Sequence, residues 1–220
     1  MSETMLEKME DFFDSRLNMY DEHQLNCIDS ARDFLQFTAG CLPPRPGCAV
    51  LDLGCGTGLE LERYFAVNPS AQVTGIDMAP GMLRRLKEKF PDKKIALMLG
   101  SYFDLPFGCE AYEAAVSVES LHHFTAAEKL PLYKKLWNAL KPGGFFILTD
   151  YFALSDAEER RCREELLRLK AEQGLTDGAF YHFDTPLTVE HETDCLRDAG
   201  FSRVELLRRW GPTHTLRAVK

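Results

Sequence analysis

The seven cysteines of this chain, at 27, 41, 48, 55, 109, 162 and 195, include no CxxC pair. That excludes a zinc knuckle or a dithiol redox centre as a reading of the sequence, and no metal site is expected. Several of the thiols lie in apolar runs, as buried free cysteines do. This usage fits a reducing cytoplasm better than an oxidising compartment. No apolar run is long enough to span a bilayer, so no membrane partner is expected. The opening Met1-Ser2-Glu3-Thr4-Met5-Leu6-Glu7-Lys8 is polar and partly acidic, unlike a signal peptide. Internal repeats and low-complexity tracts are missing. Positive charge is scarce, because 26 Lys and Arg against 34 Asp and Glu leave a formal net charge of −8. An acidic surface repels phosphate backbones, which argues against nucleic acid as a general partner. No heptad or wide apolar stripe marks an association surface, and the oligomeric state stays open.

What is there is a chain of 220 residues, 45% hydrophobic, enough for one packed unit spanning 1–220. Its most informative stretch is Ala49-Val50-Leu51-Asp52-Leu53-Gly54-Cys55-Gly56-Thr57-Gly58. An apolar run ends in an acid and three alternate glycines follow, which reads as a buried strand turning tightly into a helix. Strands are expected at about 48–53, 72–76, 94–99, 113–118 and 144–150, with helices near 58–66, 80–90 and 125–140 between them. Thr125-Ala126-Ala127-Glu128 and Ser155-Asp156-Ala157-Glu158 both fit a capping box. Before them, residues 1–45 read as an amphipathic helical cap closed by Pro43-Pro44-Arg45-Pro46. After the core at 46–150, a charged helix at about 155–173 and a last helix at 188–199 form a lid or substrate insertion, 151–200. The segments 201–209 and 213–219 alternate as a closing hairpin. Alternating β and α segments imply an α/β fold. The expected sheet is Rossmann-like, seven-stranded and mostly parallel, with helices on both faces and an antiparallel C-terminal strand.

Three features line up for a nucleotide-like ligand. The glycine loop is first. Val73-Thr74-Gly75-Ile76-Asp77 is second, a strand ending in an acid about 20 residues on, where a carboxylate can accept both ribose hydroxyls. Third is Gly100-Ser101-Tyr102, whose polar and aromatic groups suit an adenine. A nicotinamide dinucleotide is disfavoured, because Leu59 stands where that fingerprint has its third glycine.

These motifs resemble the class I S-adenosylmethionine-dependent methyltransferases. The resemblance runs through Val50–Gly58, Gly75-Ile76-Asp77-Met78-Ala79-Pro80-Gly81-Met82-Leu83, Asp104-Leu105-Pro106-Phe107, Ser117-Val118-Glu119-Ser120-Leu121-His122-His123-Phe124 and Leu140-Lys141-Pro142-Gly143-Gly144. It implies that S-adenosyl-L-methionine is the cofactor. Gly54, Cys55, Gly56 and Gly58 would then line its methionine end, with Asp52 toward the amino group and Glu119 near the methionine and the acceptor entrance. Asp77 would hold the ribose, Met78 would pack on the adenine, and Ser101 and Tyr102 would complete that pocket. Many relatives carry an acid where Ser101 stands.

The implied reaction is methyl transfer to a small molecule. Candidate acceptor-side groups are Glu119, His122, His123 and Tyr151, together with the aromatic run Phe180-Tyr181-His182-Phe183. Arg16 and Tyr20, spaced i and i+4 on the first helix, would reach the cofactor carboxylate if that helix caps the site. Phe13-Asp14-Ser15-Arg16 and Leu196-Arg197-Asp198-Ala199-Gly200-Phe201 resemble segments of carboxy-S-adenosylmethionine synthase, an alternative reading in which the cofactor itself is modified. A further alternative is a non-catalytic, cofactor-binding regulatory subunit.

Overall fold

The structure, a computed structural model, describes residues 5–220. The reading of Met1–Thr4 as part of a polar, partly acidic opening segment falls outside the described residues. Two helices come first, α1 (Met9–Cys27) and α2 (Ala31–Cys41). Strands and helices then alternate through β1 (Ala49–Leu53), α3 (Leu59–Val67), β2 (Gln72–Asp77), α4 (Pro80–Lys89), β3 (Lys94–Leu99) and β4 (Tyr112–Val118). The chain continues with α5 (Ala126–Ala139), β5 (Leu140–Tyr151), α6 (Asp156–Glu172), α7 (Val189–Asp198), β6 (Arg203–Trp210) and β7 (Thr213–Val219). The strands form one sheet in the order β3-β2-β1-β4-β5-β7-β6. β1 to β5 pair in parallel, and β7 runs antiparallel to both β5 and β6.

Alternation along the strands builds two cores, because successive side chains point to opposite faces. Val50, Ala114, Val116 and Ile147 pack with Leu61, Tyr64 and Leu86 on the α2–α4 side. Leu51, Ala115, Phe146 and Leu148 pack with Leu132, Leu136 and Leu196 on the α5 and α7 side. Sequential strands move one way from β1 to β3, and the chain then crosses to β4 on the other side. The order reverses at the carboxyl ends of β1 and β4, where open α/β sheets leave a crevice.

Local details depart from the sequence expectation in three places. β5 begins at Leu140, so Lys141–Gly144 belongs to the strand, and a register irregularity between Tyr112 and Ala114 absorbs it. The first helix starts at Met9, leaving Leu6 to pack as a non-helical residue with Leu169 and Tyr181. The Thr125 cap is reciprocal, its N–H donating to Glu128 at 2.8 Å. At α6 the Ser155 hydroxyl accepts from the Glu158 N–H, but the Glu158 carboxylate reaches past Ser155 to the Leu154 N–H at 2.8 Å. α6 buries only Leu169 deeply, in keeping with its narrow apolar stripe. No helix among the described residues is long and apolar enough to cross a membrane.

Candidate functional site

Two adjoining cavities open at the β1/β4 crevice, enclosing about 530 Å³ and 360 Å³ when the solvent at their mouths is included, and share Tyr20, Gly54, Gly56 and Glu119. Gly54 has φ +73°, and a Cβ there would stand 2.1 Å from Ser120 Oγ. The turn therefore needs glycine both for its conformation and for the close approach of the β4 loop. The Gly56 N–H donates to Asp77 Oδ2 at 2.9 Å, which ties the loop after β1 to the end of β2. Asp77 Oδ1 accepts from the Ala79 N–H at 2.9 Å. Burial raises the Asp77 pKa, while the Ala79 and Gly56 amides oppose the rise.

The larger cavity is walled by Asp77, Met78, Gly100, Ser101 and Tyr102 from the β2 and β3 ends. Sequence reasoning named most of these, and Phe180 within its aromatic run, but it missed Met9, Phe13, Met82, Ser120 and Phe124 as lining groups. Met9 and Phe13 arrive on α1, and Phe180 on the strap before α7. α1 is fastened to that strap by Met9 N–H to Phe180 O at 3.0 Å, His182 N–H to Glu7 O at 2.9 Å, and Phe12 stacked on His182 at 3.4 Å. The aromatic run 180–183 was the signal for the strap; the helical spacing of Met9 and Phe13 marked an apolar face of α1, but not that this face meets the strap.

The smaller cavity is reached by Cys55, Thr57, Gly58 and Glu60. Asp52 lines neither cavity and lies buried beneath the loop. Asp52 Oδ2 and Glu60 Oε1 are buried without a hydrogen-bond partner. Burial, followed by the neighbouring Glu60 carboxyl, pushes the Asp52 pKa well above its ordinary value. Burial also raises Glu60, although its hydrogen bond with Asp52 works the other way. Glu60 was not singled out from sequence; an acid just beyond the last loop glycine was the available signal. Cys55 is fully enclosed, and its Sγ would stand 2.8 Å from a Cβ on Gly75. The residue thus packs the loop onto β2.

Tyr20 lies over the loop, its hydroxyl 3.8 Å from where a Gly56 Cβ would be. Arg16 does not line the cavities. It is paired with Glu7 at 2.8 Å and lies over the Phe12 ring at 3.7 Å, so the i, i+4 spacing sends these two side chains to different tasks. Glu119 adopts φ +49°, an unusual conformation for a side chain with a Cβ, and its carboxylate accepts from Thr213 Oγ1 at 3.2 Å. Burial pushes Glu119 up to about 7, with His122 pulling in the opposite direction. A strained acid at a cavity wall is the kind of feature that function retains.

His122 and His123 occupy a single 3-10 turn, Leu121–His123, beside the cavities rather than in their walls. His122 Nδ1 stands 2.5 Å from Asp150 Oδ1. Burial alone would lower the His122 pKa, but the Asp150 carboxylate outweighs it and raises the group well above the usual histidine range. Burial, then the adjacent His122, lowers His123. Tyr151 faces Glu158 at 3.5 Å and His122 at 6.1 Å between ring centroids, outside the two cavities.

The fit to a nucleoside cofactor carrying a cationic amino acid is direct. Asp77 offers remaining lone pairs in the larger cavity, and Glu60, with its orphaned Oε1, lines the smaller one, while Asp52 stays behind the loop. No Lys or Arg lines either cavity among the described residues.

Comparison with known proteins agrees with this geometry. A methyltransferase-domain family model matches residues 50–144. The chain is 30% identical over 190 residues to the biotin biosynthesis bifunctional protein BioHC of Teredinibacter turnerae, covering 82% of this chain and only 30% of that protein. It is 31% identical over 185 residues to carboxy-S-adenosyl-L-methionine synthase of Wolinella succinogenes, covering 76% of this chain and 74% of the relative. Among solved structures, human N-acetylserotonin methyltransferase in complex with SAM superposes with TM-score 0.61 at 20% identity, covering 85% of this chain and 51% of the other.

Proposed function

This chain belongs to the class I S-adenosylmethionine-dependent methyltransferase family, and from that premise we propose that it methylates a small, partly apolar acceptor. The supporting observation is the row of apolar groups, Met9, Phe13, Phe124 and Phe180, on the wall of the cavity that would hold the adenosine, so that an acceptor entering beside the cofactor would meet apolar side chains. S-adenosylmethionine supplies a methyl group already activated on a sulfonium. Asp77 would take the ribose hydroxyls, Met78, Ser101 and Tyr102 the adenine, and Gly54, Gly56 and Gly58 the methionine end. Glu60 and Glu119, in the cavity walls, would balance its positive charges, and Asp52 would support Glu60 from beneath the loop. Because the leaving thioether is neutral, alignment and exclusion of water carry most of the acceleration. A base serves only an acceptor that must lose a proton, and Glu119, in the wall of both cavities, is the group proposed for that role, with His122, His123 and Tyr151 standing beside the cavities. The free thiols at Cys48, Cys55 and Cys195 suit a cytoplasmic location.

A second reading, modification of the cofactor itself, is favoured by the likeness to carboxy-S-adenosyl-L-methionine synthase over most of that relative. Against it stands the lack of a lysine or arginine lining the cavities to receive an added carboxylate. Mass spectrometry of the ligand extracted from purified protein, followed by an acceptor screen read by S-adenosylhomocysteine release, tests the choice. S-adenosylmethionine or S-adenosylhomocysteine and turnover with a small acceptor are expected. A carboxylated cofactor supports the second reading, and cofactor binding without turnover on any acceptor class supports a regulatory subunit.

A further inference from the structure

Beside the cavities, three side chains from two distant segments converge on one point. His122 Nε2 lies 3.5 Å, and His123 Nδ1 3.2 Å, from the same Asp184 Oδ1. The ligand atoms of these residues all lie within 4.8 Å of one another. We infer that His122, His123 and Asp184 form a binding site for a first-row divalent transition ion of the zinc class.

The spacing favours an ion over direct hydrogen bonds. A hydrogen bond between charged partners closes to about 2.7–2.9 Å, and both separations are longer. Donors bound tetrahedrally to one ion at about 2.1 Å stand roughly 3.4 Å apart, between the two observed values. The outer partners fit as well. His122 Nδ1 faces Asp150 Oδ1 at 2.5 Å, and Asp150 is itself held by the Leu121 N–H at 2.8 Å and the Tyr151 N–H at 2.9 Å. This carboxylate fixes Nδ1–H and turns the Nε2 lone pair to the site, as outer carboxylates do for ligating histidines. The Phe183 carbonyl, 3.3 Å from His123 Nδ1, is that nitrogen's competing partner when it carries a proton.

Two imidazoles and one carboxylate suit zinc, iron, cobalt or nickel rather than magnesium or calcium. The histidines are buried and Asp184 is half-exposed, so the open side is left to water or another oxygen ligand. An ion there would compete with protonation of the His122 and His123 imidazoles, since only their neutral forms ligate. It would also pin the 180–185 strap to the turn after β4. Glu119 shares a second such cluster with His122 and Asp150, so the ion would sit one residue away from a cavity wall. This inference stands independently of which acceptor is methylated.

The test uses the full chain stripped with EDTA and titrated with Co2+, followed by Zn2+ competition. One equivalent of Co2+ with the visible bands of a nitrogen and oxygen site is expected, without a thiolate charge-transfer band. Asp184→Asn and His123→Gln should each weaken binding at least about tenfold, with circular dichroism and S-adenosylmethionine affinity showing that each variant is folded. Three results would overturn the inference: no stoichiometric binding, unchanged affinity in both folded variants, or a thiolate band reporting capture by the exposed Cys27 or Cys109.

Discussion

The Gly56 N–H donates to Asp77 Oδ2 at 2.9 Å, so the glycine loop and the proposed ribose acid are mechanically one unit. With Ala79 N–H on the other oxygen, the carboxylate is held by two amides and aimed from the end of β2. Replacing it as Asp77→Asn keeps the shape, but one amide N–H must then face the new NH2 group. Loss of a hydrogen bond to a charged group costs about 1.5–3 kcal/mol, or about ten- to a hundredfold in affinity. Isothermal titration with S-adenosylmethionine should show that loss; affinity within twofold of the parent would remove Asp77 from the ribose role.

With Glu119 in its proposed place beside the methionine end, cofactor affinity should depend on pH. Its pKa is about 7, raised first by burial, so it is largely neutral at pH 6 and ionised at pH 8. A cationic ligand favours the ionised form, and its binding therefore releases a proton. Affinity should rise as pH climbs from 6 to 8 in metal-free protein, and Glu119→Gln should flatten the rise. A profile equally steep in the variant would assign the titration to another group.

Arg16 and Tyr20 should separate cleanly. Arg16 is committed to Glu7 on the outside of α1, whereas Tyr20 lies over the glycine loop. Arg16→Ala should change the S-adenosylmethionine Kd by less than about threefold, in line with the small worth of exposed ion pairs. Tyr20→Ala should weaken binding by more than that, by removing the ring over the loop.

Stability should depend on a buried triad far from the loop. Lys129 Nζ lies 2.5 Å from Glu192 Oε2, both about 1% exposed, and Tyr133 donates to the other Glu192 oxygen. Glu192→Leu alone strands a buried ammonium and should cost about 3–5 kcal/mol. Adding Lys129→Met should recover much of that loss, which a chemical denaturation series would measure. Full additivity of the two losses would show that the residues do not act as a pair.

Gly54→Ala tests the close approach of the two loops. Its Cβ would meet Ser120 Oγ at 2.1 Å and Ser120 Cβ at 2.7 Å, at a positive φ. Displacement of the β4 loop should cost about 1–3 kcal/mol of stability and should reduce cofactor affinity. An unchanged melting temperature would show that the loop yields without cost.

Much of the architecture was legible because it is written in short-range pattern. Alternating strand and helix periods, the glycines at 54, 56 and 58, and an acid at 77 are each contained within a few residues of their own strand. Right-handed crossovers then leave little choice in assembling them, and the loop and Asp77 meet because β1 and β2 pair in register, Leu53 beside Ile76. The tertiary structure alone decided what closes and flanks that crevice. Phe13 and Phe180 share a cavity wall, His123 meets Phe183 across 60 residues, and Lys129 meets Glu192 across 63. No periodicity links such pairs, since their encounter depends on how α1, the 180–185 strap and α7 dock on a sheet that has already formed. The same docking turned Arg16 outward and left Tyr20 inside, a distinction that helical spacing could not make.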